Sequence, residues 1–217
     1  EGDGDPAGPL RGQAVEVDAH GVRVRWAGGE ARARHLAVCT GAFGGVLAAL
    51  GLTLPVRPLG KTMFWYPSAP EYDLDAGCPA FLFEHPEHGV FYGLPAFEGH
   101  GVKVAQHSGG EALDAPDAAR RPVPAAEAEA VQAFLQRSLP KAGQGVLQTV
   151  RCMYAMTPDG HFIVDHHPRH PHVQVAVGLS GHGFKLAPAL GQAVADRVLR
   201  GVTDLPVGFL GLQRLGG

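Results

Sequence analysis

One cysteine of the three in the sequence, Cys152, stands in an apolar, strand-like run that leads into a turn and a second strand-like run. A thiolate is a good nucleophile, and the neighbouring Arg151 could favour that ionised form. Adjacent residues of a strand point to opposite faces, however, and an unpaired cysteine often behaves as a small buried hydrophobe. Local sequence therefore leaves both a reactive thiol and a structural thiol open for Cys152.

A lysine and a histidine form a second candidate group, in the run Gly101–His107. Strand alternation predicts Lys103 and His107 on one face and two valines on the other. Such a pair can form a cationic patch inside a cleft, and the alternative is an ordinary solvated strand face. Tyr92, in a neighbouring strand-like run, is by default an amphipathic core residue with a hydrogen-bonded hydroxyl.

The glycine-rich segment Gly178–Lys185 follows an apolar strand and precedes a helix. Backbone N–H groups at such a turn suit a phosphate, a carboxylate or a polar ring edge. Lys185 could add a point charge for an acidic group. The alternative is a tight turn that carries a surface lysine.

Histidines are frequent in the chain, and several cluster at residues 166–172. This run is predicted to be a polar turn, without the i, i+4 helical spacing or the cysteine partner that typical zinc sites use. We therefore predict no metal site.

The composition of the 217 residues sets limits on size and partners. With 45% apolar and 18% charged residues, the chain can form one large or two small globular domains. A net charge of −3 gives no reason to expect nucleic acid, and no apolar run approaches the roughly 20 residues that cross a bilayer. Three widely spaced cysteines without a CxxC motif favour a reducing, cytoplasmic compartment.

The order of predicted elements separates two kinds of structure. Residues 1–12 are predicted to be irregular, and the lack of an initial methionine suggests a fragment or a processed chain. Beyond Pro58, extended runs recur about every 10 residues, which indicates an antiparallel sheet. Strands are expected at 14–17, 22–26, 31–38, 36–42, 62–66, 80–83, 90–94, 102–107, 147–154, 162–164 and 173–177, the one at 36–42 being a buried strand that follows the run 31–38 and leads into a glycine turn. Helices are expected at 45–50, 125–139 and 188–199.

Taken in order, five segments resemble one family. They are Leu36–Gly51, Gly89–Pro95, Gly101–His107, Cys152–Asp165 and Gly178–Lys185. Together they are similar to monomeric sarcosine oxidase and N-methyltryptophan oxidase, of the D-amino acid oxidase superfamily. The resemblance implies a mixed α/β (α+β) fold. Part of an FAD-binding domain would span 1–55 and 159–217, and an antiparallel-sheet substrate domain 56–158, with the two lobes meeting around the site.

The resemblance also implies how the cofactor is held. Cys152 would be a thioether anchor to the C8 methyl of the flavin. Lys103 would lie near flavin N5, where its charge activates oxygen by stabilising developing superoxide. Further cofactor contacts would come from the glycine turn, at Gly181, His182, Gly183 and Phe184.

For the substrate, the resemblance assigns four more positions. Tyr92 and His107 would position it as part of the catalytic group, Lys185 would bind its carboxylate, and Tyr154 would be a neighbouring contact. The implied reaction oxidises a small N-methylated or secondary amino acid to an imine, with oxygen reduced to hydrogen peroxide. A monomer is expected.

Departures from the family keep two other functions open. The dinucleotide fingerprint and the family's carboxylate-binding arginine are not found in the sequence, and Ala155 and Gly160 replace more usual polar residues. We therefore expect this chain alone to bind FAD poorly. One alternative is a flavin-dependent amine dehydrogenase that uses another electron acceptor, and the other is a non-catalytic binding fragment without a cofactor.

Overall fold

The computed structural model describes residues 14–116, 118 and 121–215, so the prediction for residues 1–12 lies outside the described part. The chain divides into two compact units, Glu1–Val56 with Ala155–Gly217, and Arg57–Tyr154. The strands and helices are β1 (Ala14–Asp18), β2 (Gly21–Trp26), β3 (Gly29–Ala33), β4 (Leu36–Gly41), α1 (Gly45–Ala49), β5 (Arg57–Tyr66), β6 (Phe81–His85), β7 (Gly89–Leu94), β8 (Val102–Gln106), β9 (Glu111–Ala112), α2 (Ala125–Ser138), β10 (Gln148–Met156), β11 (Ile163–His167), β12 (His170–Val177) and α3 (Ala187–Arg200).

In the first unit, β1, β2 and β3 form an antiparallel meander. Its strands alternate, so that valines such as Val22 pack into the core while charged residues lie on the outer face. On that face Arg25 pairs with Glu16 at 2.8 Å and with Glu30 at 3.0 Å. These exposed pairs add little stability individually, so the valine face is what holds the meander.

A second sheet of the same unit has the order β11-β12-β4, with β12 antiparallel to β11 and parallel to β4. Its central strand is fully buried at Val173, Val175 and Val177. The amphipathic helix α3 packs on it through Leu190, Ala193 and Val194, and ends at Gly201 in the left-handed conformation (φ +79°) that glycine tolerates best. The helix predicted over 188–199 is thus confirmed.

Two local predictions for this unit are wrong. The run 31–38 is not one strand, because β3 and β4 belong to different sheets and the chain turns between them. The histidine run is not a polar turn either, because its histidines lie mainly in the β11–β12 hairpin. His167 is only 1% exposed, and its Nε2 lies 3.1 Å from the carbonyl oxygen of Leu50. Burial lowers the pKa of His167, so this ring serves as a neutral packing group.

The second unit is built on an antiparallel sheet of order β10-β5-β8-β7-β6, with β9 paired to β5. Helix α2 covers one face through Val131, Phe134 and Leu135. This is the stripe that the sequence predicts, and the helix is confirmed with its end one residue early. The mixed helix and strand class, with antiparallel sheets, is likewise confirmed. No helix within the described residues is long and apolar enough to cross a membrane.

Candidate functional site

Five of the ten predicted site residues lie on one face of the second unit's sheet. Phe64, Val102 and Val104 point towards α2, so their neighbours along β5 and β8 point to the opposite face. Cross-strand partners share a face, and the register places Trp65 opposite Lys103. We call the face opposite α2 the site face, which includes Lys61, Met63, Trp65, Tyr92, Lys103, Ala105, His107, Cys152 and Tyr154.

Three of these residues form an aromatic group, two of them joined by a hydrogen bond. The Tyr154 hydroxyl lies 3.2 Å from His107 Nδ1, and the two ring centroids are 5.5 Å apart. The Tyr92 ring lies edge-on to His107 with ring centroids 6.2 Å apart, and the Tyr92 and Tyr154 side chains are close enough to influence each other's pKa. Burial raises the pKa of both phenols, so they are neutral near pH 7 and can donate hydrogen bonds. The group can therefore orient a polar ligand or pass a proton between Tyr154 and His107.

A thiol and two lysines share the site face with this group. Lys103 Nζ lies 5.4 Å from the centre of the Trp65 ring, a cation–π distance. Burial raises the pKa of the half-buried Cys152, while the charges of Lys103 and then Lys61 oppose that increase. Arg151, the neighbour that the sequence singles out, has a smaller influence on Cys152. Its side chain is instead held by Glu111 at 2.7 Å.

The glycine turn belongs to the first unit, and its backbone is unusual. Gly178, Ser180 and Gly181 have φ of +64°, +44° and +78°, a conformation that a serine rarely adopts. Ser180 is fixed there because its buried hydroxyl lies 3.0 Å from the hydroxyl of Thr157 and its amide donates to the carbonyl of Ala155. This network positions the turn.

The remaining residues of the turn differ in exposure. The amides of His182 and Leu186 donate to the carbonyls of Leu179 and Gly183, so these two N–H groups stabilise the turn. The His182 ring packs on Phe162 with centroids 4.6 Å apart. Gly183 is buried, whereas Phe184 is 96% exposed and Lys185 is also exposed. Phe184 and Lys185, consecutive at the end of this segment, are thus both accessible to solvent.

Lys61, on β5, is a site-face residue that the sequence does not reveal. It is only 3% exposed, and its ammonium lies 5.2 Å from the centre of the Tyr154 ring. Strand alternation puts Lys61 on the same face as Met63, and this was the only sequence signal for it. Lysines on strands are usually exposed, so the signal did not predict burial. Among the described residues, no group of three or more histidine, cysteine, aspartate or glutamate side chains could hold a metal ion.

Comparison with known proteins assigns the chain to a family. The sequence model described as FAD dependent oxidoreductase matches residues 10–197, which is most of the chain. The chain belongs to this family. The FAD-dependent oxidoreductase relatives include monomeric sarcosine oxidase from Bacillus sp. (strain NS-129), 35% identical over 203 residues, covering 92% of this chain and 52% of the relative. N-methyl-L-tryptophan oxidase from Citrobacter koseri is 36% identical over 185 residues, covering 84% of this chain and 48% of the relative.

Solved structures agree on the fold. The open form of NikD, an unusual amino acid oxidase, has a TM-score of 0.74 at 21% identity, covering 91% of this chain and 53% of NikD. Glycine oxidase from Geobacillus kaustophilus has a TM-score of 0.72 at 20% identity, covering 93% of this chain and 51% of the oxidase. The chain spans about half the length of the curated relatives it matches.

Proposed function

We propose that this chain forms the substrate-binding part, and a portion of the cofactor site, of an FAD-dependent amine oxidase. The substrate would be a small N-methylated or secondary amino acid, the products an imine and hydrogen peroxide, and the enzyme a cytoplasmic monomer. The observation that carries the proposal is the contact of Tyr92, His107 and Tyr154 on the face that also holds Lys103 and Cys152. Similarity to sarcosine and N-methyltryptophan oxidases supports the substrate class.

The side chains of the site face suit FAD and an amine. Bound FAD would supply the two-electron acceptor that amine oxidation requires. The lysine at 103 brings a fixed positive charge, and such a charge stabilises negative charge that develops nearby on oxygen. His107 and the two tyrosines can hold the amine by hydrogen bonds and keep water from the reacting carbon. The partly buried aromatic surroundings strengthen these interactions relative to water.

We further propose that Cys152 is the covalent anchor of FAD. Burial raises the pKa of its half-buried thiol, and the charges of the two lysines on the same face offset part of that increase in favour of the thiolate that bond formation needs. The test is flavin absorbance that stays with the denatured, desalted full-length protein. Cys152→Ser should abolish it, whereas Cys39→Ser should leave it unchanged. Loss of all absorbance on denaturing the unaltered protein would refute the covalent link.

The glycine turn of the first unit has proposed roles of its own. We propose that Gly181, His182, Gly183 and Phe184 contact the flavin and that Lys185 binds the substrate carboxylate. The exposure of Lys185 and its fixed charge support this role. Lys185→Met should raise KM for an amino acid about tenfold or more, while an amine substrate that lacks the carboxylate should be unaffected. An equal loss for both substrates would contradict this role.

The activity test compares two electron acceptors. The FAD-loaded full-length protein is incubated with sarcosine or another N-methyl amino acid, and peroxide release is compared with reduction of an artificial dye. Peroxide release as the faster process supports the oxidase, and dye reduction alone would favour the dehydrogenase. Lys103→Met should lower peroxide release much more than dye reduction, whereas Lys141→Met, an exposed lysine of the same unit, should change neither. Equal loss of both reactions in Lys103→Met would contradict the oxygen role of this lysine.

A further inference from the structure

Lys61 is buried and forms no direct ion pair in the described part of the chain, although the carboxylate of Glu127, on α2, acts on it through space and favours its ammonium form. Its hydrogen bonds all go to backbone carbonyls, those of Gln106, His107, Ser108 and Gly109. The oxygens of His107 and Ser108 lie 2.7 and 2.9 Å from Nζ. Lysine is almost never fully buried unless it is paired, and burying an ammonium carries a large desolvation cost. The cluster of carbonyls around this charge therefore indicates that the ammonium has a structural role in holding these carbonyls together.

The turn after β8 is shaped to surround that ammonium. Gly109 and Gly110 have φ of +62° and +116°, where a side chain would be strained. A Cβ on Gly110 would lie 2.8 Å from the Gly60 carbonyl oxygen and 3.1 Å from Lys61 Cε. The two glycines thus let the chain fold closely over β5, which turns consecutive carbonyls towards one point.

The amides of the same turn have other partners. The N–H groups of His107 and Ser108 both donate to the Val90 carbonyl, at 2.7 and 3.4 Å. The Ser108 hydroxyl accepts from the Val90 amide at 2.9 Å. Lys61 therefore supplies the hydrogen-bond donors for the carbonyls of the turn, and β7 supplies the acceptor for its amides. Without the ammonium, the carbonyls of the half-buried residues 106–108 would lose this shared donor.

We propose that Lys61 is a positioning residue, whose ammonium binds the turn Gln106–Gly109 and thereby places the His107 ring against Tyr154. The turn carries His107, so any loosening of its backbone moves Nδ1 relative to the Tyr154 hydroxyl. The ammonium also lies over the Tyr154 ring, at 5.2 Å from its centre, so Lys61 contacts both members of the His107–Tyr154 pair. The consequence for catalysis rests on the proposed amine oxidation, whereas the consequence for the turn does not.

The test uses the full-length, FAD-loaded protein with Lys61→Met, Lys61→Arg and the control Lys141→Met. Hydrogen exchange followed by mass spectrometry reports on the peptide that spans residues 105–111. We expect Lys61→Met to speed its exchange about tenfold while peptides of α2 stay unchanged, because only the turn loses its partner. The arginine variant should recover part of the protection, and Lys141→Met should match the unaltered protein.

Kinetics with the N-methyl amino acid form the second measurement. We expect kcat to fall about tenfold in Lys61→Met with KM changed less than about twofold, since misplacing His107 affects the reacting geometry more than binding. Unchanged exchange at residues 105–111 in a folded Lys61→Met protein would overturn the proposal. Faster exchange with unaltered kcat would overturn the positioning of His107.

Two outcomes need separate handling. If Lys61→Met does not fold, Gly110→Ala loosens the same turn from its other side and should give the same local exchange and the same kcat loss. Normal exchange in that variant would refute the proposal. If the unaltered protein oxidises no amine, the proposed function fails, while the exchange experiment still decides whether Lys61 holds the turn.

Discussion

Removing the Tyr154 hydroxyl is the sharpest perturbation of the site face. Tyr154→Phe keeps the ring and opens no cavity, so the change is limited to the hydroxyl and its hydrogen bond with His107, at 3.2 Å. A net hydrogen bond contributes about 1 kcal/mol, and weaker hydrogen bonding at its half-buried partner adds a comparable cost. We therefore expect the free energy of unfolding to fall by about 1–2 kcal/mol.

The same change should affect catalysis by a similar amount if the hydroxyl orients His107 in the transition state. A loss of about 1.4 kcal/mol corresponds to a tenfold fall in kcat/KM. The assay is peroxide release with an N-methyl amino acid, together with urea unfolding of each variant. Tyr66→Phe is the matched control, because Tyr66 is 1% exposed and points to the opposite face of the same sheet. It should leave kcat/KM unchanged within about twofold.

A double-mutant cycle decides whether the effect passes through the histidine. Tyr154→Phe, His107→Asn and the double variant should show a coupling energy of about 0.5–1.5 kcal/mol in unfolding and in kcat/KM. A coupling below about 0.3 kcal/mol would refute the reasoning, because additive changes mean that the two side chains act independently. Unfolding alone still tests the contact if the protein oxidises none of the amines offered.

Three further predictions concern stability. Phe134→Ala should cost about 3–5 kcal/mol in urea unfolding, since this buried ring stacks at 4.5 Å on another phenylalanine, and a loss below about 1 kcal/mol would contradict the packing. Gly178→Ala should cost about 1–3 kcal/mol, because its φ of +64° strains a side chain and a Cβ would lie 2.6 Å from a threonine methyl; equal stability would show that the turn relaxes. The Arg214 guanidinium lowers the pKa of Asp159 to about 2 from its usual 3.8. The stability that this pair contributes is therefore present above pH 3.8 and lost as pH falls towards 2, so the melting temperatures of the parent and Asp159→Asn should differ at pH 5 and converge near pH 2.

The helices and the inward faces of the strands could be read from the sequence. The stripe in α2 marks its buried side because a helical period leaves few other solutions. Alternation in β8 correctly separates Val102 and Val104 from Lys103, since successive strand residues face opposite ways. Strand pairing was harder to predict: β3 and β4 are consecutive in the chain yet belong to different sheets, because the partners that complete each sheet are distant in sequence.

Side-chain types and local periodicity by themselves determined three candidates for chemistry on this protein, a thiol and a histidine and lysine at strand spacing, and the resemblance to a family added the two tyrosines. Only the tertiary structure decided which of them touch. Arg151 adjoins the thiol in sequence but is held by Glu111, whereas Lys61, far away in the chain, is held by the carbonyls around His107. The physical reason is that the burial of a charge depends on its partners, and here those partners come from other strands and turns.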